Sequence, residues 1–179
     1  MRRTAFLAPA VVAAVLGVAS PATAAPVQAA RTGVVVNRPW VPWPSSPFDL
    51  AAGAYCDFAV HGDPIVDQVV TKTIEEYPDG SPERELAKGA LIFRLTNTAT
   101  GATTTANASG SAVFDFYPDG SRTWHVVGPV LAAFKDGASN IARGVWTING
   151  IYEINFSPTN FKTVTIRRGG LHDVCADLA

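Results

Sequence analysis

The sequence is poor in the residues that most often bind polyanions or carry out catalysis. Its 179 residues include three histidines and two cysteines, and the longest run of Lys or Arg is a doublet. The formal net charge is −1. A chain without a basic cluster lacks the charge needed to neutralise phosphate groups. We therefore expect neither nucleic acid nor an anionic membrane as a partner.

Long apolar stretches are also missing after the first residues. The apolar stretch 5–18 is shorter than the roughly 20 residues that a membrane span requires. It follows arginines at positions 2 and 3 and precedes small residues at positions 22 and 24. A basic start, a short apolar run and a small-x-small site are typical of a secretory signal peptide. This pattern predicts a signal peptide at residues 1–24 and a secreted, extracellular protein without a membrane span.

Removing the first 24 of 179 residues leaves 155, with 12 basic residues against 15 acidic ones. A chain of that size buries roughly 70% of its unfolded surface, enough for one core. Residues 25–49 are rich in proline, which favours an extended conformation. The aromatic residues Trp40, Trp43 and Phe48 in this segment predict that part of it packs on the domain. We expect a Pro-rich N-terminal segment at 25–49 and a single β domain at 50–179.

The two cysteines, Cys56 and Cys175, are retained after cleavage. An even pair in an exported protein is usually a disulfide, and their separation does not match the short spacing of zinc ligands. Closing a loop of more than 100 residues contributes about 4–5 kcal/mol in the chain-entropy model. We predict a Cys56–Cys175 disulfide, no metal site and no cofactor.

A repeated pentapeptide organises the rest of the chain. Tyr-Pro-Asp-Gly-Ser occurs at 77–81 and again at 117–121. Proline presets φ for the first central turn position, Asp suits the second, and Gly accepts the positive φ that follows. Each copy therefore predicts a hairpin turn. The residues after the two copies differ, so we expect two turns without a shared site.

Alternating apolar residues between the turns predict about eight or nine antiparallel strands. The strongest alternation, Gly144–Phe156, predicts one long strand kinked at Gly150. Further expectations are a first strand over 54–60 that carries Cys56, a short helical turn at 81–85, and a turn at 169–170. Since the disulfide would join the first and last strands, the sequence favours an all-β, up-and-down antiparallel β-barrel of about eight strands closed by that bond. A β-sandwich is the alternative.

The segments around the cysteines resemble a set of small secreted actinobacterial proteins of unassigned function. The likeness rests on Cys-Asp-Phe-Ala-Val at 56–60, the turn Tyr-Pro-Asp-Gly at 77–80 and Asp-Val-Cys-Ala-Asp-Leu at 173–178. The resemblance implies the same disulfide pairing, and it gives no information about activity. A looser architectural likeness is to allene oxide cyclase, dirigent and lipocalin-type barrels, whose catalytic motifs this chain does not match.

Large aromatic side chains fall on the inward-facing positions of the predicted strands. In a barrel this set would either fill the core or line a cavity for a small apolar ligand. The predicted ligand-binding residues are Phe58, Phe93, Phe114, Phe116, Trp124, Trp146 and Tyr152. The polar tips of Trp124 and Tyr152 would orient such a ligand.

The sequence offers no catalytic residues. It has no Gly-x-Ser-x-Gly elbow, and His61 with nearby Asp63 lies at a predicted turn. Asp115 and Glu153 have the parity opposite to the aromatic residues, which predicts that they face outward. We therefore expect a non-enzymatic protein that binds a small apolar molecule or an extracellular partner. The alternatives are a barrel enzyme of cyclase or isomerase type, and a structural or inhibitory envelope protein with segment 40–48 as its contact.

Overall fold

A computed structural model describes residues 33–179 of the chain. The predicted signal peptide and the first residues of the Pro-rich segment lie outside these described residues. The described part is almost entirely β-structure and ends in one short helix. The strands are β1 (Val34–Val35), β2 (Val41–Pro42), β3 (Phe48–Leu50), β4 (Val60–Asp67), β5 (Val70–Glu76), β6 (Pro82–Lys88), β7 (Leu91–Asn97), β8 (Thr103–Asn107), β9 (Ser111–Phe116), β10 (Arg122–Val127), β11 (Val130–Phe134), β12 (Gly144–Phe156) and β13 (Lys162–Asp173), and the helix is α1 (Val174–Asp177).

The strands from β4 onward form an up-and-down meander of six long, bent units. Four units consist of two strands each, β4 with β5, β6 with β7, β8 with β9, and β10 with β11, while β12 and β13 are continuous. The first two bends lie side by side, since the Gln68 N–H donates to the Ala90 carbonyl at 2.8 Å. Because the halves of the first three units pair separately, β4, β7 and β8 lie in one sheet and β5, β6 and β9 lie in the other.

The larger sheet has the order β1-β5-β6-β9-β10-β12, with β2 also on β5 and both β11 and β13 also on β12. The smaller sheet has the order β3-β4-β7-β8. Within residues 33–179 no ladder joins β13 to β5, so the predicted closed barrel is wrong. The two-sheet arrangement is sandwich-like, as in the alternative. The antiparallel all-β class and the meander order are confirmed.

Both ends of the larger sheet are covered, which is the physical reason that it does not close. On β5, Val35 pairs with Glu75 and Val41 pairs with Thr71. On β13, the Asn140 side chain donates to the Val164 carbonyl at 2.9 Å and accepts from its N–H at 2.7 Å. The amide of Asn140 therefore takes the place of a neighbouring strand at Val164.

The N-terminal segment packs on the domain within its described residues, as expected. The Trp43 ring meets Phe114 edge-on with centroids 5.8 Å apart, and Phe48 meets Phe93 at 5.5 Å. Arg38 forms a two-pronged ion pair with Glu76 at 2.7 and 2.8 Å. This segment supplies both an edge strand and aromatic packing.

The predicted kink in β12 is confirmed. Gly150 has φ 129° and lies opposite Gly169, whose φ is 118°. A Cβ on either glycine would overlap a main-chain carbonyl oxygen of the other strand, that of Arg168 or that of Asn149. Two chains can approach this closely only without side chains, and the register shifts immediately after the kink.

The predicted disulfide is confirmed, with Cα atoms 5.6 Å apart across a sequence separation of 119. Cys56, however, lies in a loop before β4 and not on a strand, and Cys175 lies on α1. Arg143 holds this loop through the Gly53 carbonyl at 2.7 Å and the Asp57 carboxylate at 2.5 Å. The disulfide therefore ties the loop that precedes the first long strand to the helix that follows the last.

Two other local expectations are wrong. Residues 82–88 form β6 and not a helical turn, because β5 and β9 pair with them on both sides. Residues 169–170 do not form a turn, since β13 continues through them alongside β12. The chain instead ends its last strand at Asp173, whose carboxylate accepts the N–H groups of Cys175 and Ala176 and caps α1.

The buried side chains form two apolar clusters. One surrounds the disulfide beneath the smaller sheet, and the other lies on the inner face of β10, β12 and β13. The first contains Cys56, Val60, Phe93, Leu95, Ala106, Val145, Val174 and Leu178, and the second contains Val126, Phe134, Ile148, Tyr152, Ile154, Phe156 and Val164.

Candidate functional site

The two Tyr-Pro-Asp-Gly-Ser turns have nearly the same internal geometry. In the first, the Gly80 N–H donates to the Tyr77 carbonyl at 2.9 Å, and Gly80 has φ 84°. In the second, the matching bond from Gly120 to Tyr117 is 3.0 Å long, and Gly120 has φ 83°. The pentapeptide is thus a rigid turn used twice, as its residues predict.

The fold places these turns side by side. One joins β5 to β6 and the other joins β9 to β10, and β6 pairs with β9. The Tyr77 hydroxyl donates to the Phe116 carbonyl at 2.8 Å, which connects the two hairpins. Between the turns lies a cleft of about 630 Å³, which we call the turn cleft. It is lined by Tyr77, Pro78, Asp79, Ser81, Pro82, Phe116, Tyr117 and Pro118.

The turn cleft corrects the expectation that the repeat forms no shared site. The sequence signal for this cleft was the distance between the two pentapeptides. They begin forty residues apart, and two long strand units lie between them. In an up-and-down meander every second turn lies at the same end of the sheet. The differing residues after each copy did not matter, because the cleft is built from the turns themselves and from strand ends.

The two turns carry matched carboxylates. Asp79 accepts the N–H of Ser81 at 2.9 Å and its hydroxyl at 2.6 Å, and Asp119 makes the same two bonds to Ser121. The serine hydroxyl is the main cause that lowers the pKa of each carboxyl. Both are therefore anionic at neutral pH, but only Asp79 lines the cleft.

The seven predicted ligand-binding aromatics do not meet in one place. Phe93 belongs to the disulfide cluster and Phe58 packs against it. Trp124, Trp146 and Tyr152 belong to or pack against the second cluster.

Phe114 connects this second group to the turn cleft, with its ring 5.0 Å from Trp124 and 6.5 Å from Phe116. Of the seven aromatics, Phe116 lines the cleft.

The polar tips of the two predicted orienting residues differ in their surroundings. Tyr152 is 1% exposed, and its hydroxyl donates to the Ile148 carbonyl at 3.2 Å. Burial raises the pKa of Tyr152 well above its usual value. The Trp124 ring is half-buried between Phe114 and Phe156, at centroid distances of 5.0 and 4.8 Å.

An ionic chain crosses the opposite face of the larger sheet. Its members are Glu75, Arg84, Asp115, His125, Glu153 and Arg167, one from each of six strands.

The Arg84 guanidinium donates two hydrogen bonds to the Asp115 carboxylate, from Nε at 2.5 Å and from a terminal nitrogen at 3.0 Å. Asp115 lies on the face opposite the aromatic residues, as predicted, but it is buried there, with 3% of its surface exposed. The physical reason is that two cross-strand neighbours, Arg84 and His125, cover the carboxylate.

His125, the histidine of the ionic chain, has a carboxylate near each of its ring nitrogens. His125 Nε2 lies 3.0 Å from Asp115, and Nδ1 lies 3.5 Å from Glu153. A hydrogen bond from Arg167 is the main cause that lowers the pKa of Glu153. With both ring nitrogens facing carboxylates, His125 bridges the strands and has no nitrogen left for a substrate.

The other two histidines also pair locally. His61 lies 2.7 Å from Asp49 and 3.3 Å from Asp63, and His172 lies 2.8 Å from Asp177. Within residues 33–179 no group of three or more His, Cys, Asp or Glu side chains converges as metal ligands would. Over the same residues, no helix is long and apolar enough to cross a membrane.

The fold and the turn cleft together define a class: a disulfide-bonded, all-β domain of two antiparallel sheets with a cleft at one end. Comparison with protein-family models, curated proteins and solved structures finds no match to this chain. The likeness to secreted actinobacterial proteins thus stays a prediction.

Proposed function

We propose that this protein is a secreted, non-enzymatic binding module whose ligand site is the turn cleft. The observation that carries the proposal is the pairing of two identical rigid turns around a space of about 630 Å³. That volume falls within the range of roughly 300–1,000 Å³ typical of small-molecule sites. The Cys56–Cys175 disulfide supports an oxidising destination.

The cleft suits a ligand with an apolar body. Three aromatic rings and three prolines form most of its lining. Proline has little conformational entropy to lose, and aromatic rings provide large contact areas with few rotatable bonds. The walls are therefore organised before the ligand arrives, which lowers the cost of binding.

The one charged side chain of the lining, Asp79, indicates which polar group a ligand should carry. Asp79 is anionic at neutral pH because Ser81 lowers its pKa. A cationic or strongly donating group on the ligand would meet this carboxylate. The best fit is an aromatic or aliphatic amine of small size.

The alternative of an enzyme has less support. A general base works best with a pKa near neutrality, whereas the pKa of Asp79 is lowered from its usual acidic value. The Ser81 hydroxyl donates to Asp79 and has no histidine beside it in the cleft lining. The lining thus lacks an activated nucleophile.

Three probes that differ in charge test the proposal: benzylamine, benzyl alcohol and benzoate, followed by amide NMR. We expect benzylamine to bind most tightly and to perturb Tyr77, Ser81 and Tyr117. Asp79→Asn should weaken the binding of benzylamine roughly fivefold.

Asp119→Asn is the matched control, because Asp119 makes the same turn contacts without lining the cleft. It should leave the affinity for benzylamine unchanged. Equal weakening by both variants, or amide perturbations confined to other surfaces, would refute the turn cleft as the site.

A further inference from the structure

A second groove lies where the edge of the smaller sheet approaches β12 and β13, away from the turn cleft. Its volume is about 420 Å³, also within the range of small-ligand sites. We call it the seam groove. Its lining consists of Thr105, Ala106, Asn107, Thr147, Asn149, Gly170, Leu171 and His172.

The seam groove presents polar side chains without charge. The lining contains no Asp, Glu, Lys or Arg, and its histidine is already bonded to Asp177. The side chains of Thr105, Thr147 and Asn149 make no hydrogen bond within residues 33–179. These hydroxyl and amide groups can donate and accept hydrogen bonds to a neutral ligand.

The main chain of β8 adds further hydrogen-bonding groups. Asn97 donates to the Ala102 carbonyl, and Ala108 donates to the Leu91 carbonyl. Because bonding alternates along an antiparallel strand, the even-numbered residues of β8 bond to β7. The N–H and C=O groups of Thr105 and Asn107 therefore point away from β7, towards the free edge.

Gly170 supplies the observation that points to a ligand. Its φ lies outside the left-handed range, and a Cβ added there would meet no atom within 4 Å. Neither backbone conformation nor close approach requires glycine at this position, in contrast to Gly169. Gly170 pairs with Asn149, and Thr147 pairs with His172. Directly paired residues point to the same face, so a side chain at 170 would occupy the groove.

We propose that the seam groove binds a neutral polyhydroxylated ligand, a short oligosaccharide. Sugar hydroxyls would bond to the free Thr and Asn groups and to the outward main-chain groups of β8. An acidic ligand finds no cation here. An extended peptide would find only two outward-pointing residues of β8 in the groove, Thr105 and Asn107, too few for stable strand pairing.

The first arm of the test needs no ligand. Gly170→Val places a β-branched residue in a strand, which strands favour, and should leave the melting temperature unchanged within about one degree. Gly169→Ala is the contrast and should lower it strongly. A large loss of stability in Gly170→Val would show a structural glycine and overturn the proposal.

The second arm uses maltotriose, cellotriose and triacetylchitotriose as neutral probes, with a heparin tetrasaccharide as the acidic one. We expect at least one neutral probe to perturb the amides of Thr105, Asn149 and Gly170. Gly170→Val should weaken it at least tenfold, while Thr165→Val, on β13 outside the groove, should not. Binding of no neutral probe, preferential binding of heparin, or an affinity unchanged in Gly170→Val would overturn the proposal.

Discussion

At the scale of single residues, the polar side chains gain their roles from partners that lie far along the chain. Asp115 is buried because Arg84, which is 31 residues away, makes two bonds to it. Burial of a carboxylate is tolerated only when it is paired. The ionic chain therefore aligns six neighbouring strands in register, and His125 acts as its central bridge.

His61 makes stability depend on pH near neutrality. The hydrogen bond to Asp49 is the main cause that raises its pKa above the ordinary value of 6.5. For a group with a raised folded pKa, the stabilisation is present below the ordinary value and is lost as pH rises through the folded pKa. We expect the urea midpoint of the wild type to fall, relative to that of His61→Gln, as the pH rises above 6.5.

Asp49→Asn is the matched variant for this experiment, because it retains the ring and removes its closest carboxylate. It should abolish most of the pH-dependent difference. Parallel pH profiles for the wild type and His61→Gln would contradict the assignment.

At the scale of elements, the bends decide the architecture more than the strands do. Each two-strand unit bends between its halves, and β12 bends at Gly150 without ending. The Gly150–Gly169 contact allows both continuous strands to kink together. A barrel would need the same strands to curve evenly and to leave both edges free.

Gly150→Ala tests the role of this contact. The added methyl would overlap the Arg168 carbonyl at a φ that L-residues rarely adopt. We expect the free energy of unfolding to fall by about 3 kcal/mol or more, measured by urea denaturation. Gly170→Ala, at the residue of β13 that follows Gly169, should change the free energy of unfolding by less than about 0.5 kcal/mol. Similar values for the two variants would disprove a specific requirement at the kink.

At the scale of the whole molecule, the disulfide spans the described domain. It links a loop before the first long strand to the helix after the last, across a sequence separation of 119. Loop closure of this length restricts the unfolded chain strongly. The buried cluster around Cys56 and Val174 also depends on α1 remaining in place.

Cys56→Ser combined with Cys175→Ser should lower the free energy of unfolding by about 2–5 kcal/mol. Wild-type protein in reductant should approach the same value, and intact-mass measurement would report a gain of two hydrogens. Unchanged urea midpoints in both samples would show that the bond does not support the fold.

Much of the fold was predictable from local patterns. Alternation of apolar residues predicted β12 closely, because a strand with one buried face needs a period of two. The pentapeptides predicted their turns, since Pro, Asp and Gly each match one turn position. Cysteine usage predicted the disulfide.

Closure and site were decided only by the tertiary structure. Whether a meander closes depends on what covers its edges, here β1, β2 and the Asn140 amide, and no local pattern reports such distant contacts. The parity argument placed Asp115 on the outward face but could not predict its burial, because parity does not report a covering arginine. The turn cleft and the seam groove arise where segments far apart in the chain meet.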